Sequence, residues 1–90
     1  MSKLERTFEI TNRLGLHARA AAQLVQIANR FQSECTITKD GVTVNGKSIM
    51  GVLTLAAAMG SQIVVAVEGA DAEAAMAEVA ALIQGKFGES

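Results

Sequence analysis

Ninety residues with eight basic and nine acidic side chains carry a formal net charge of −1, and 50% of them are hydrophobic. A chain of this size makes one domain, residues 1–90, around a single core. There is no apolar run long enough to cross a bilayer, no signal-peptide plan at the start, and, without Trp, Tyr or a cluster of cations, neither the charge nor the stacking groups of a nucleic-acid binder.

Taken in chain order, Leu4, Phe8 and Ile10 alternate with Glu5, Thr7, Glu9 and Thr11. This predicts a half-buried strand from about Lys3 to Thr11. A loop from Asn12 to Leu16 follows, with Gly15 to let it turn. Arg19, Gln23, Gln26, Arg30 and Ser33 then recur every three or four residues with apolar side chains between them. That is a broad-faced amphipathic helix ending near Phe31. Cys35 and Ile37, then Val42 and Val44, mark two short strands joined by the hairpin signal Asp40-Gly41. Asn45-Gly46 closes the second. A helix is expected from Ser48 to about Ala57, with Gly60 beyond it as a stop. Ile63 to Val67 is a buried strand. After Gly69-Ala70, Asp71 caps a last helix that sets Ala75, Met76, Val79, Leu82 and Ile83 on one face and ends near Gly85. The other methionines and the phenylalanines are assigned to the core or the chain ends. Cys35, the single cysteine, cannot form an internal disulfide. It reads as a small core residue in a reducing compartment. The order β-α-β-β-α-β-α, with one apolar face per helix, predicts an α+β fold with helices on one side of an antiparallel sheet. Pattern alone does not separate this from a ferredoxin-like arrangement.

The stretch Asn12-Arg13-Leu14-Gly15-Leu16-His17-Ala18-Arg19 holds the only histidine, at the joint between strand and helix. The first N–H groups of a helix lack intrahelical partners, and the helix dipole adds positive charge there. Such an end is an anion site, to which Ala18 would contribute a backbone N–H. Arg19 can fork onto a phosphoryl oxygen. An uncharged imidazole, free amides and a guanidinium within three residues suit a histidine that accepts a phosphoryl group. A surface histidine capping a helix fits the spacing equally well. Ser48, before the second helix, reads as an N-cap worth about 1 kcal/mol. Ile49 and Met50 point about 100° apart on that helix, so one of them is hard to bury. An exposed apolar patch near His17 is what a small docking protein needs, and methionine adapts to different partners.

Gly15-Leu16-His17-Ala18-Arg19 resembles the active-site signature of the HPr family, phosphocarriers of the bacterial phosphoenolpyruvate-dependent phosphotransferase system. Val44-Asn45-Gly46-Lys47-Ser48-Ile49-Met50-Gly51-Val52-Leu53 is similar to the family's second conserved region, around its regulatory serine. Length and element order match over essentially the whole chain. One departure is Ala20, where these proteins usually carry proline. The resemblance implies an open-faced β-sandwich: four strands in the order 1-4-2-3, with three helices on one face. It implies that His17, through Nδ1, takes a phosphoryl group from Enzyme I and passes it to an EIIA-type domain. Arg19 would contact the phosphate, and Ser48 would be the target of an HPr kinase/phosphorylase. Gln23, Gln26, Ile49, Met50 and Leu53 would form the partner surface, with Gln26 replacing a basic residue found in some relatives. No metal and no cofactor are implied, and the carrier is expected to be a cytoplasmic monomer without membrane insertion, a transferase component more than a stand-alone enzyme. Thr11-Asn12-Arg13-Leu14-Gly15 resembles the nitrogen-related branch, the Ser48 region the sugar-uptake branch. Two other classes remain open: a small acylphosphatase-like hydrolase, and a regulatory module that binds a protein without transferring anything.

Overall fold

The computed structural model describes residues 2–89. Four strands, β1 (Ser2–Glu9), β2 (Glu34–Lys39), β3 (Val42–Asn45) and β4 (Gln62–Gly69), form one sheet. Its order is β1-β4-β2-β3, and every neighbouring pair is antiparallel. Three helices, α1 (Ala18–Ala28), α2 (Ile49–Thr54) and α3 (Ala72–Gln84), cover one face. This is the open-faced sandwich, and the ferredoxin-like alternative is set aside by the strand order.

The alternation in β1 and β4 places Phe8, Ile63, Val65 and Val67 inside, against Leu24 and Val25 of α1 and Val79 and Ile83 of α3 in one core cluster. The opposite parity leaves Lys3, Glu5, Thr36, Thr38 and Glu68 along a shallow trough on the uncovered face. β1 is an edge strand, and it carries a charge among its core-facing positions. Arg6, which is exposed, shares the parity of Leu4 and Phe8 and lies 4.8 Å from the centroid of the Phe8 ring. A cation in that place discourages another strand from adding to the edge.

Several element ends differ from the sequence expectation, each for a local reason. β1 stops at Glu9, although Ile10 continues the pairing irregularly, donating to Ser61 O at 2.8 Å and accepting from Gly60 N at 2.7 Å. Gly60 therefore braces the end of β1 and does not stop a helix. α1 ends at Ala28, not near Phe31, because Asn29 turns its side-chain amide back to Val25 O, 3.0 Å, and across to Lys47 O, 3.3 Å. α2 ends at Thr54, because Ala56 takes a left-handed conformation with φ of 48°. Asp71 occupies the cap position of α3 but bonds elsewhere: its carboxylate accepts from Gln32 N, Ser33 N and Ser33 Oγ. Those bonds hold the Asp71 carboxyl below its ordinary range, the Ser33 hydroxyl contributing most. Cys35 is buried as expected, and burial pushes its thiol up to about 11. Met59 departs from the assignment to core or chain end: it is exposed on the α2–β4 connection.

Candidate functional site

The site is built on the loop between β1 and α1. Gly15 adopts a φ of 65°, and a Cβ there would collide with Ala57 O. Glycine is needed on both counts, because an L side chain resists the left-handed region and the loop must press against the α2–β4 connection at Ala57. Leu16 N then donates to that same Ala57 O at 2.8 Å, which fixes where α1 begins. His17 sits at the N-cap position with extended backbone, φ −73° and ψ 178°, and its side chain does not cap the helix. The first backbone bond of α1 runs from Ala21 N to His17 O, 2.8 Å. The amides of Ala18, Arg19 and Ala20 precede it and lack intrahelical acceptors. Ala20 itself is fully buried.

The histidine ring is instead held from the far end of the chain. His17 Nε2 lies 3.0 Å from Glu89 Oε2. Asn12 Nδ2 donates to the same oxygen at 2.7 Å and to Gly15 O at 2.8 Å. Leu14 N approaches Glu89 Oε1 at 3.4 Å. The Asn12 amide first, and then the histidine, hold the Glu89 carboxyl below the usual carboxylate range. A turn at Lys86–Gly88 brings Glu89 here. In it Lys86, Phe87 and Gly88 all have positive φ, 58°, 56° and 78°. Two non-glycine residues in that region are strained, and the buried ring of Phe87 offsets the cost by anchoring the turn in the core.

Arg19, Gln23 and Leu14 line a cleft with His17, Phe87 and Glu89. Gln23 Oε1 is buried and has no partner among the described residues, so its amide is available to a ligand or to reorientation. The cleft therefore joins a ring nitrogen, helix-terminal amides, a guanidinium and an amide. That set can accept an anionic group onto nitrogen and neutralise its charge. No group of His, Cys, Asp and Glu able to hold a metal occurs among the described residues, and no helix of the structure is long and apolar enough to cross a membrane.

The remaining sequence candidates lie along the flank of α1. Arg19 and Gln26 are exposed and Gln23 half-buried, while Ala20, Ala21, Leu24, Val25 and Ala28 face the core. Ser48 caps α2, its Oγ accepting from Gly51 N at 3.1 Å. Met50 is 73% and Ile49 42% exposed, and Leu53 is half-buried. The Leu16–Ala57 and Asn29–Lys47 bonds tie the start of α1 to the end of α2, and the end of α1 to the start of α2. Ile49 and Met50, at the start of α2, thus lie nearer the end of α1 than its His17 end, so the apolar patch is offset along α1 from the histidine. The sequence reading missed Asn12 and Glu89. It also missed two exposed apolar side chains on the loops that meet at Gly15, Leu14 and Met59. A buried polar residue such as Asn12, 1% exposed, gives no periodic signal in a loop.

The family model described as the PTS HPr component phosphorylation site matches residues 4–85. The chain is 50% identical over 86 residues to the phosphocarrier protein HPr of Neisseria meningitidis serogroup A, covering 96% of this chain and 97% of that one. It is 42% identical over 90 residues to the phosphocarrier protein NPr of Shewanella violacea, covering 100% and 99%. The crystal structure of an HPr from Thermoanaerobacter tengcongensis superposes with a TM-score of 0.93 at 45% identity, covering 97% of this chain and 98% of that one.

Proposed function

The chain belongs to the HPr family of the phosphotransferase system, and on that premise we propose that His17 accepts a phosphoryl group from Enzyme I and delivers it to an EIIA-type domain. The observation that carries this reading is the placement of His17. Its ring is not used as a helix cap, and it shares a cleft with Arg19 at the amide-rich start of α1. A phosphoryl group arriving there would meet the amides of Ala18 and its neighbours and the Arg19 fork. Positioning and charge neutralisation are all that such a transfer asks of the carrier. No metal or cofactor enters it.

The docking surface would run down α1 from His17 through Arg19, Gln23 and Gln26 to Ile49, Met50 and Leu53, with Leu14 at the histidine end. Ser48 would be the regulatory phosphosite, used by an HPr kinase/phosphorylase where one is present. The working unit is taken as a monomer acting in the cytoplasm. Sugar uptake and its regulation form the first reading. The similarity to NPr, together with Thr11-Asn12-Arg13-Leu14-Gly15, supports a second, a carrier of the nitrogen-related branch.

Incubation with phosphoenolpyruvate and Enzyme I tests the assignment. The expected label is acid-labile, alkali-stable, and absent from His17→Ala, which should melt within a few degrees of the parent. Undiminished labelling of that variant overturns it. Transfer to EIIA domains of the two branches separates the two readings.

A further inference from the structure

Building on His17 as the phosphoryl acceptor, we infer that Glu89 is a positioning residue that keeps one proton on His17 Nε2 through both transfers, so that Nδ1 alone gains and loses the phosphoryl group. An ionised carboxylate has no proton to give. At 3.0 Å the hydrogen bond therefore requires Nε2 to donate, and the neutral ring is left with its lone pair on Nδ1. The arrangement is held on several sides. Asn12 Nδ2 grips Oε2 at 2.7 Å, Leu14 N approaches Oε1 at 3.4 Å, and Asn12 is itself anchored to Gly15 O at 2.8 Å. Phe87, two residues before Glu89, is buried and fixes the turn behind it. The Glu89 carboxyl also titrates below its usual range, so it is ionised at neutral pH. The other charged side chain lining this cleft is Arg19 of α1. Arg13 on the β1–α1 loop and Lys86 on the turn after α3 are exposed nearby in sequence.

The chemistry balances without moving a proton. On acceptance, the Nδ1 lone pair forms the N–P bond. The bond from phosphorus to the donor's imidazole nitrogen breaks, and that nitrogen keeps the electron pair. The His17 ring becomes a phosphoimidazolium whose Nε2–H still faces Glu89, now as a charge-assisted bond. On delivery, the N–P bond breaks and its electron pair returns to Nδ1. The ring departs as neutral imidazole because Nε2 has kept its proton. Without that proton the leaving group would be an imidazolate anion. Glu89 thus favours the form of the phosphorylated ring that can give the group away.

The test uses the full chain, as wild type, Glu89→Ala, Glu89→Gln and Glu89→Asp, with thermal melts confirming that each is folded. Nitrogen-15 NMR of the imidazole in the unphosphorylated protein reads the ring directly and involves no transfer. Wild type should show a hydrogen-bonded Nε2–H with the lone pair on Nδ1, and Glu89→Ala should lose that bonded signature. Return of the phosphoryl group from His17 to Enzyme I should slow on the order of threefold in Glu89→Gln above pH 8, the size expected of a partly exposed charge pair. The alkaline limb of the rate profile should move to lower pH, with Glu89→Asp recovering part of both. Superposable nitrogen spectra and pH profiles in wild type and Glu89→Ala would overturn the role, as would phosphorus–nitrogen coupling that places the phosphoryl group on Nε2. A wild-type chain that takes no label at all would sink the carrier reading instead, and the ring spectrum would still decide whether Glu89 holds the Nε2 proton.

Discussion

At the scale of single residues, the proposed function divides the site into groups that would touch the phosphoryl and groups that hold the histidine. Arg19 is assigned to the first class. Arg19→Ala should slow acceptance from Enzyme I roughly tenfold, the size of one lost hydrogen bond to a charged partner. Arg19→Lys should recover only part of the rate, because an ammonium cannot make the planar fork. Single-turnover labelling of the three proteins checks this, and full recovery by lysine would reduce the role to bulk charge. The shared placement of His17 and Arg19 was legible in the sequence because they lie two residues apart at a strand–helix joint, where one local argument covers both. Glu89 was not legible. It lies 72 residues from His17 and is delivered by a turn in which Lys86 and Phe87 adopt positive φ. Nothing in the identity of a lysine and a phenylalanine announces that conformation. Sequence pattern assigns Asn12 no role of its own within the His17 stretch, whereas in the structure it bridges Gly15 O and Glu89 from a buried position.

At the scale of elements, the cores of the strands and helices followed from periodicity, and the mistakes were at their ends. The helix stop expected at Gly60 is supplied by Ala56 in the left-handed region, a conformation alanine adopts only where tertiary contacts impose it. Asp71 looked like a cap because acidic residues before a helix usually are. Two amides and a hydroxyl on the α1–β2 connection outbid the helix for its carboxylate. A pH dependence follows. The folded value for Asp71 lies below its ordinary 3.8, so the unfolded chain binds the proton first. The stability it contributes is complete above the ordinary value and drains away as pH falls through the folded one. The melting temperature should therefore drop below about pH 4, and Asp71→Asn should show a shallower drop from a lower plateau. Parallel curves would mean that other carboxylates carry the acid sensitivity. Gly15 gives a second element-scale prediction. Gly15→Ala should cost at least about 1–2 kcal/mol from backbone conformation alone, and more from the approach to Ala57 O. Chemical denaturation measures it, and a loss under 0.5 kcal/mol by the same scale would show that the loop relaxes away from Ala57.

For the molecule as a whole, the sequence pattern indicated helices on one side of an antiparallel sheet, and the resemblance supplied the strand order. Spacing could not have supplied it, because periodicity tells which face of a strand is buried and not which strand lies beside it. The proposed partner surface spans both ends of α1, and on that reading a charge at Ser48 obstructs docking as well as one beside His17. Ser48→Asp, or phosphorylation of Ser48, should slow acceptance from Enzyme I while leaving the melting temperature within a few degrees. Added charge at Ser48 would be stripped of water on docking and would meet any acidic partner surface, a contact that can cost several kcal/mol. Equal rates would leave Ser48 as a helix cap alone; a collapsed melt would show that the cap tolerates no charge. The fastening of Glu89 onto His17 also bears on biosynthesis. On a ribosome, the histidine is polymerised 72 residues ahead of the carboxylate that holds it, and β4 and α3 must be translated and docked before that carboxylate can arrive. A nascent chain that already displays the motif would lack the Glu89 contact, which makes this contact a late reporter of complete folding.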